Sequence, residues 1–120
     1  WMVLKDHIDM TQEELWCLAL NSECKLINQK MIFRGTVDRC PFHPREVFRF
    51  LILENASQYV IVHSHPSQNP KPSIQDIDIT TDLNFLSEMM QIPLVDHLIF
   101  CKNGVTSFRA LHILKEKKKV

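Results

Sequence analysis

The sequence is poor in glycine, in paired cysteines, in long apolar runs and in net charge. Its 120 residues include only two glycines, and none of its four cysteines forms a C-x2-C pair, which argues against a four-cysteine zinc site. No apolar run reaches ten residues, so the sequence predicts no membrane-spanning helix. Fourteen basic residues balance fourteen acidic ones, and such a chain offers no strong electrostatic grip on nucleic acid.

The remaining composition is that of an ordinary globular domain. The chain is 45% apolar and 23% charged, and its length suits one domain, so we expect residues 1–120 to fold as a single unit. It begins at Trp1, without an initiator Met or the pattern of a signal peptide. We therefore expect a piece of a longer cytoplasmic protein with reduced thiols.

Hydrophobic patterning predicts two strands, a helix, a strand, a helix and two further strands. Pro44 suits the first turn of the first helix, because its missing N–H is not needed there. This order predicts an α/β fold in which helices flank a mixed β-sheet. The predicted strands are 15–20, 26–35, 59–63, 94–101 and 105–109, the predicted helices are 44–55 and 73–90, and a weaker candidate strand is 2–10.

Two histidines stand at the end of the predicted strand 59–63. His63 and His65 are two positions apart, so an extended backbone places both side chains on one face, where they can serve as a pair of zinc ligands. The pair alone is weak evidence, because with six histidines in the chain chance gives about 0.3 such pairs. A metal site therefore requires further ligands elsewhere in the chain.

Ser73 and Asp76 stand beyond the histidine pair, at the start of the next predicted helix. A short proline-rich loop joins the strand to this helix, so the Asp76 carboxylate can return to His63 and His65. Two His and one Asp leave a fourth position open for water, as in a catalytic zinc site. Ser73 and Asp76 also match a plain capping box. Chance nevertheless gives all four residues at these offsets only on the order of once in a thousand such chains.

The spacing His63-x-His65-x7-Ser73-x2-Asp76 is the JAMM motif of the MPN+ metallopeptidases, and the wider sequence resembles the bacterial RadC family. Two positions depart from the family pattern: Gln68 stands where Gly is usual, and Ser64 stands where Asn is commoner. The resemblance covers the chain from about Glu13 to Phe108 and is carried by Gly35-Thr36, His43-Pro44-Arg45-Glu46-Val47-Phe48, His63-Ser64-His65-Pro66-Ser67, Pro70-x-Pro72-Ser73 and Asp96-His97.

This resemblance implies an MPN/JAB-like (cytidine-deaminase-like) sandwich and a Zn2+ cofactor held by His63, His65 and Asp76. It implies hydrolysis of peptide or isopeptide bonds, with Ser73 donating to the oxyanion. It also implies a general base upstream of the first strand. Matching Leu15-Trp16-Cys17-Leu18 to the family's strand favours Glu13 over Glu14 for this role.

Two other functions remain open at the level of sequence. A non-catalytic MPN binding module is one alternative, and a DNA-repair-associated RadC protein is the other, although the zero net charge gives no support to DNA binding. The peptide or protein substrate is unknown, and the segment 105–108 is a candidate edge for pairing with a second copy. We expect His43 to be exposed near a helix start, and His97 to form a structural hydrogen bond with Asp96.

Overall fold

The computed structural model describes residues 12–35, 42–66, 71–102 and 104–111, and this part of the chain forms five strands and two helices. The predicted order of elements is confirmed, whereas the candidate strand at 2–10 lies outside the described residues. The elements are β1 (Glu14–Leu20), β2 (Leu26–Arg34), α1 (Pro44–Leu53), β3 (Gln58–Ser64), α2 (Ile74–Met90), β4 (Leu94–Cys101) and β5 (Gly104–Ser107).

The five strands form one mixed sheet in the order β2-β1-β3-β4-β5. Strands β3 and β4 are parallel, as a strand–helix–strand unit requires, and α2 makes the crossover between them. The other three neighbouring pairs are antiparallel. The predicted α/β fold with a mixed sheet is therefore confirmed.

One face of the sheet packs against both helices and forms the main core. Alternation along β1 sends Leu15, Cys17 and Ala19 into this core, and the β1–β3 register places His63, Ile61 and Tyr59 opposite them on the same face. A smaller apolar cluster on the other face contains Val62 and Phe100. The buried members of the main core are Leu15, Cys17, Ala19, Phe33, Val47, Phe48, Phe50, Leu51, Tyr59, Ile61, Ile79, Leu83, Ile92, Leu94, Ile99 and Phe108.

The ends of the two helices follow from local sequence. Pro44 begins α1 after His43, which is exposed as expected and makes no side-chain capping bond. Helix α2 begins with a complete capping box between Ser73 and Asp76, and ends where Gln91 adopts a left-handed conformation. Neither described helix is long and apolar enough to cross a membrane.

Helix α1 provides a test of the core assignment. Leu51 is fully buried against the sheet, whereas Leu53, two residues further along the same helix, is 74% exposed. We expect Leu51→Ala to lower the free energy of unfolding by about 2–5 kcal/mol, because it removes buried methyl groups and leaves a cavity. Leu53→Ala should change it by less than about 0.5 kcal/mol. Urea denaturation of both variants measures the difference, and equal losses would contradict this packing.

Candidate metal centre

The candidate centre lies at the carboxyl end of β3, where three segments of the chain meet. His63 lies in β3 and His65 directly follows it, Asp76 lies in the first turn of α2, and Glu13 directly precedes β1. The start of β1 reaches this point because β1 runs antiparallel to β3, with Glu14 opposite Ser64. Ligand sites of α/β sheets commonly lie outside the carboxyl ends of strands in this way.

The two histidines are buried and in contact with each other. The exposed fraction is 1% for His63 and 9% for His65, and their ring centroids lie 4.9 Å apart in an edge-to-face arrangement. The backbone N–H of His65 donates to the carbonyl of Phe100 at 2.7 Å, which continues the pairing of β3 with β4. Both imidazoles are thus held at one end of the sheet by backbone bonds.

Asp76 joins both histidines through one carboxylate. Its Oδ1 lies 2.6 Å from His63 Nδ1, and its Oδ2 lies 3.1 Å from His65 Nε2. The carboxylate is fully buried. Burial alone would raise the pKa of Asp76, but hydrogen bonds with His63 and His65 and from the backbone N–H of Ser73 hold this pKa well below its usual range. Asp76 is therefore an ionised oxygen donor.

Ser73 acts on the Asp76 carboxylate as well as on the helix. Its Oγ accepts the Asp76 N–H at 3.1 Å and donates to Asp76 Oδ2 at 2.8 Å, while its own N–H donates to the same oxygen at 2.8 Å. The capping box expected for these residues is present. It fixes the orientation of the carboxylate that faces His63 and His65.

Glu13 and Glu14 point to opposite faces of the sheet. Glu13 Oε1 lies 3.9 Å from His63 Nε2, and its side chain is 25% exposed. Glu14 is fully buried; its carboxylate contacts Arg34 at 2.7 Å and accepts a hydrogen bond from Trp16 Nε1 at 3.1 Å. Of the two acidic residues, Glu13 is the one beside the histidines.

Ser64, between the two histidines, holds the segment that carries Glu13. Its fully buried Oγ accepts the backbone N–H of Glu14 at 2.9 Å and donates to the carbonyl of Gln12 at 3.1 Å. On the other side, the carbonyl of Glu13 accepts the N–H of Gly35 at 2.8 Å. The sequence alone does not predict this contact, because it depends on the register of β1 against β3.

His97 differs from its expected role. The Asp96 carboxylate accepts the backbone N–H of His97 at 2.8 Å, but the His97 ring bonds instead to Thr80 Oγ1 through Nδ1 at 2.6 Å. The ring is fully buried and stacks on Phe108 with centroids 4.3 Å apart. Burial first, and then the neighbouring His63, lower the pKa of His97 from 6.5 to about 3. His97 is thus a neutral imidazole inside the fold.

These donors make up two overlapping groups that could hold a metal ion. In each group, one donor atom from each residue lies within 4.8 Å of the others; the first group is Glu13, His63 and His65, and the second is His63, Asp76 and His97. The Nε2 of His63 is buried and has no hydrogen-bond partner among the described residues. Imidazole nitrogen and carboxylate oxygen are ordinary zinc ligands, so this donor set fits Zn2+.

A mixed sheet with this histidine–carboxylate group at the end of its central parallel strand is typical of a JAB-type domain. Comparison with known families agrees. The profile of the family described as "RadC-like JAB domain" matches residues 2–113, and the chain belongs to this family.

Curated relatives of the chain share the name UPF0758 protein. One from Enterococcus faecalis is 39% identical over 89% of this chain and 46% of its own length. One from Clostridium perfringens is 40% identical over 94% of this chain and 50% of its own. The protein YsxA of Bacillus subtilis is 37% identical over 82% of this chain and 42% of its own. The chain thus spans half or less of the length of these relatives.

The buried neutral state of His97 predicts a pH dependence of stability in the metal-free protein. The unfolded chain binds a proton at this residue below pH 6.5, whereas the folded chain does so only below about pH 3. The unfolded state therefore holds more protons in this window, and the free energy of unfolding should fall as the pH drops from 6.5 towards 3, by at most about 1.4 kcal/mol per unit.

Substitution of His97 isolates this contribution. We expect His97→Phe, which keeps an aromatic ring against Phe108, to flatten the slope in urea denaturation series between pH 6.5 and 4. Equal slopes for the two proteins would contradict the assignment of a neutral buried His97.

Proposed function

We propose that this chain is the catalytic domain of a zinc-dependent hydrolase of the JAMM type, which cleaves peptide or isopeptide bonds. In this proposal His63, His65 and Asp76 hold the ion, Glu13 is the general base, and Ser73 is the oxyanion donor. The observation that carries the proposal is the buried Nε2 of His63, which has no hydrogen-bond partner in the part of the chain that the structure describes and lies 3.9 Å from Glu13 Oε1. An ionised carboxylate that contacts both histidines accompanies it.

The charges of these residues suit a zinc ion with three protein ligands and a fourth coordination position open to water. Asp76 supplies one negative charge, and the two imidazoles supply neutral nitrogen donors, as the common catalytic zinc sites do. The hydrogen bonds from Ser73 to Asp76 fix the carboxylate before any ion binds. A zinc ion bound here would polarise the scissile carbonyl and acidify a water molecule.

The position of Glu13 supports its proposed role as the general base. Its carboxylate lies on the histidine face, is partly exposed, and belongs to a backbone segment held by Ser64 and Gly35. Glu13 Oε1 would take the proton of the attacking water and deliver it to the nitrogen of the leaving amine. Glu14 is not suited to this role, because its carboxylate is buried on the other face with Arg34.

Ser73 would serve the oxyanion after a rotation of its side chain. Its single hydroxyl proton is donated to Asp76 Oδ2 at 2.8 Å. Rotation about the Cβ–Oγ bond would turn this proton towards the developing negative charge on the substrate oxygen, while Oγ still accepts the Asp76 N–H and the backbone N–H of Ser73 keeps its bond to Asp76. The substrate would be a peptide or a protein with an accessible amide or isopeptide bond.

Zinc binding is the first test of this proposal. Protein purified and reloaded with zinc should bind about one ion per chain at neutral pH, as measured by elemental analysis and calorimetry. His63→Ala and Asp76→Asn should lose this stoichiometric zinc; the Asn substitution keeps the helix-capping geometry. His43→Ala, which changes an exposed histidine, is the matched control and should bind zinc normally. Failure of the unaltered protein to bind zinc would refute the proposal.

The role of Glu13 is tested by separating binding from chemistry. Glu13→Gln should retain zinc but lower kcat by about 10²–10⁴-fold, because the amide cannot accept the proton. Cleavage of peptide and isopeptide-linked libraries, followed by mass spectrometry, provides the measurement, with Glu23→Gln as the exposed control. Normal turnover by Glu13→Gln would exclude Glu13 as the base, and zinc binding without any cleavage would favour a non-catalytic binding module.

A further inference from the structure

His97 is a buried imidazole beneath the candidate centre, and the hydrolytic mechanism does not use it. It stands on β4 opposite Ile61 of β3, so its side chain is on the same face of the sheet as His63. The two ring centroids lie 6.2 Å apart. Stacking on Phe108 fixes the plane of the His97 ring, with an angle of 17° between the two rings.

The hydrogen bonds of Thr80 determine which nitrogen of His97 carries the proton. Thr80 Oγ1 lies 2.9 Å from the carbonyl oxygen of Asp76, which can only accept, and 2.6 Å from His97 Nδ1. The hydroxyl has one proton, and donating it to Asp76 leaves Thr80 to accept from His97 Nδ1–H. The opposite tautomer would leave a buried N–H donor on His97 unsatisfied, which costs free energy. The lone pair of His97 is therefore on Nε2.

This lone pair has no hydrogen-bond partner among the described residues. His97 Nε2 is buried, and the residue has no exposed surface. One donor atom each from His97, His63 and Asp76 lies within 4.8 Å of the other two. The Nδ1 of His63 faces Asp76 at 2.6 Å, and its Nε2 faces Glu13 at 3.9 Å. A neutral imidazole has a single lone pair, so an ion bound at Nδ1 requires the His63 proton to move to Nε2, on the side of Glu13.

We propose that His97 is an alternative third ligand, which with His63 and Asp76 forms an inner metal position beneath the outer one completed by His65. The inference rests on the proposed function, because both positions share His63 and Asp76. Two neutral imidazoles and one carboxylate select a borderline divalent ion such as Zn2+ or Co2+.

The two positions differ in access to solvent. His65 retains 9% of its surface, and Glu13 beside it is partly exposed, so an ion in the outer position can meet water and substrate. The inner position is lined by three residues without such access, since His63, Asp76 and His97 are all buried. Donor atoms bound to one zinc ion lie about 3.3 Å apart. The donor atoms of the inner group lie within 4.8 Å of one another, so small tilts of the two rings would bring them to this separation. An ion held there is inactive in hydrolysis.

A double-mutant cycle tests the inner position with zinc alone. The proteins are the unaltered chain, His65→Ala, His97→Phe and the double variant, each titrated with Zn2+ by competition with a chromophoric chelator. We expect His97→Phe alone to change zinc affinity by less than about threefold. His65→Ala should still bind about one ion with affinity reduced by about 10–100-fold, and adding His97→Phe should cost at least about tenfold more.

The outcomes separate this inference from the proposed function. Loss of zinc by His65→Ala as complete as that by His63→Ala would overturn the inner position and leave the hydrolase proposal standing. If His97→Phe lowered zinc affinity by the same factor in the unaltered chain and in His65→Ala, the inner position would also be overturned. A residue with only a structural role would produce such equal losses. Absence of zinc binding by the unaltered chain would refute the proposed function itself.

A second measurement does not depend on the folding of the His97 variant. In the His65→Ala protein labelled with 15N at histidine, added Zn2+ should shift the resonance of His97 Nε2 as coordination replaces its free lone pair. His43 serves as an internal control, because it is exposed at the start of α1 and its resonance should stay in place. An unchanged His97 Nε2 resonance at saturating zinc would contradict the inner position.

Discussion

The Asp76 carboxylate is the group on which the arrangement of the site depends. Its two oxygens contact His63 and His65 at the carboxyl end of β3, while the same carboxylate accepts hydrogen bonds from the backbone N–H and the hydroxyl of Ser73. The Asp76 side chain therefore caps the start of α2 and also orients both imidazoles. The positive end of the helix dipole further stabilises this negative charge. Because the carboxylate is fully buried, each of these bonds offsets part of its desolvation, and the start of α2 and the candidate metal centre are held by the same set of bonds.

Sequence patterning predicted most of the fold, and it singled out side chains that lie together at the candidate centre, since both depend on local rules. Period-two alternation and helix capping act over a few residues, and His63, His65, Ser73 and Asp76 lie within fourteen positions of one another. Alternation along β1 also carried a signal for the acidic residue, because Glu13, unlike Glu14, shares a face with Leu15. Conversely, the contact of Ser64 with the Glu14 backbone joins residues fifty positions apart, and it follows only from the register between β1 and β3.

The hydrogen-bond partner of the His97 ring could not be predicted from local sequence patterns. Its neighbour Asp96 suggested a local pair, and the carboxylate does bond to the His97 backbone, but it also accepts the backbone N–H of Arg109 beyond β5. The ring faces the other way because β4 alternates, and its partner Thr80 lies on α2. No local rule gives the depth at which α2 crosses the parallel pair β3–β4, which is a property of tertiary packing. The predicted hydrogen bond between His97 and Asp96 is therefore present through the His97 backbone, whereas the partner of the His97 ring was not predicted.

Under the two proposals, the chemistry at this centre depends on which third histidine completes the pair His63–Asp76. Both candidates are imidazoles on neighbouring strands, so the metal–ligand bonds alone do not separate them strongly. Their environments differ more: the His97 ring is stacked on Phe108 and hydrogen-bonded to Thr80, whereas His65 lies at the carboxyl end of β3 beside Glu13. An ion in the inner position places positive charge in the apolar core, which costs more than the same charge near solvent. Desolvation therefore favours the outer position, and with it the geometry in which Glu13 can reach a water molecule.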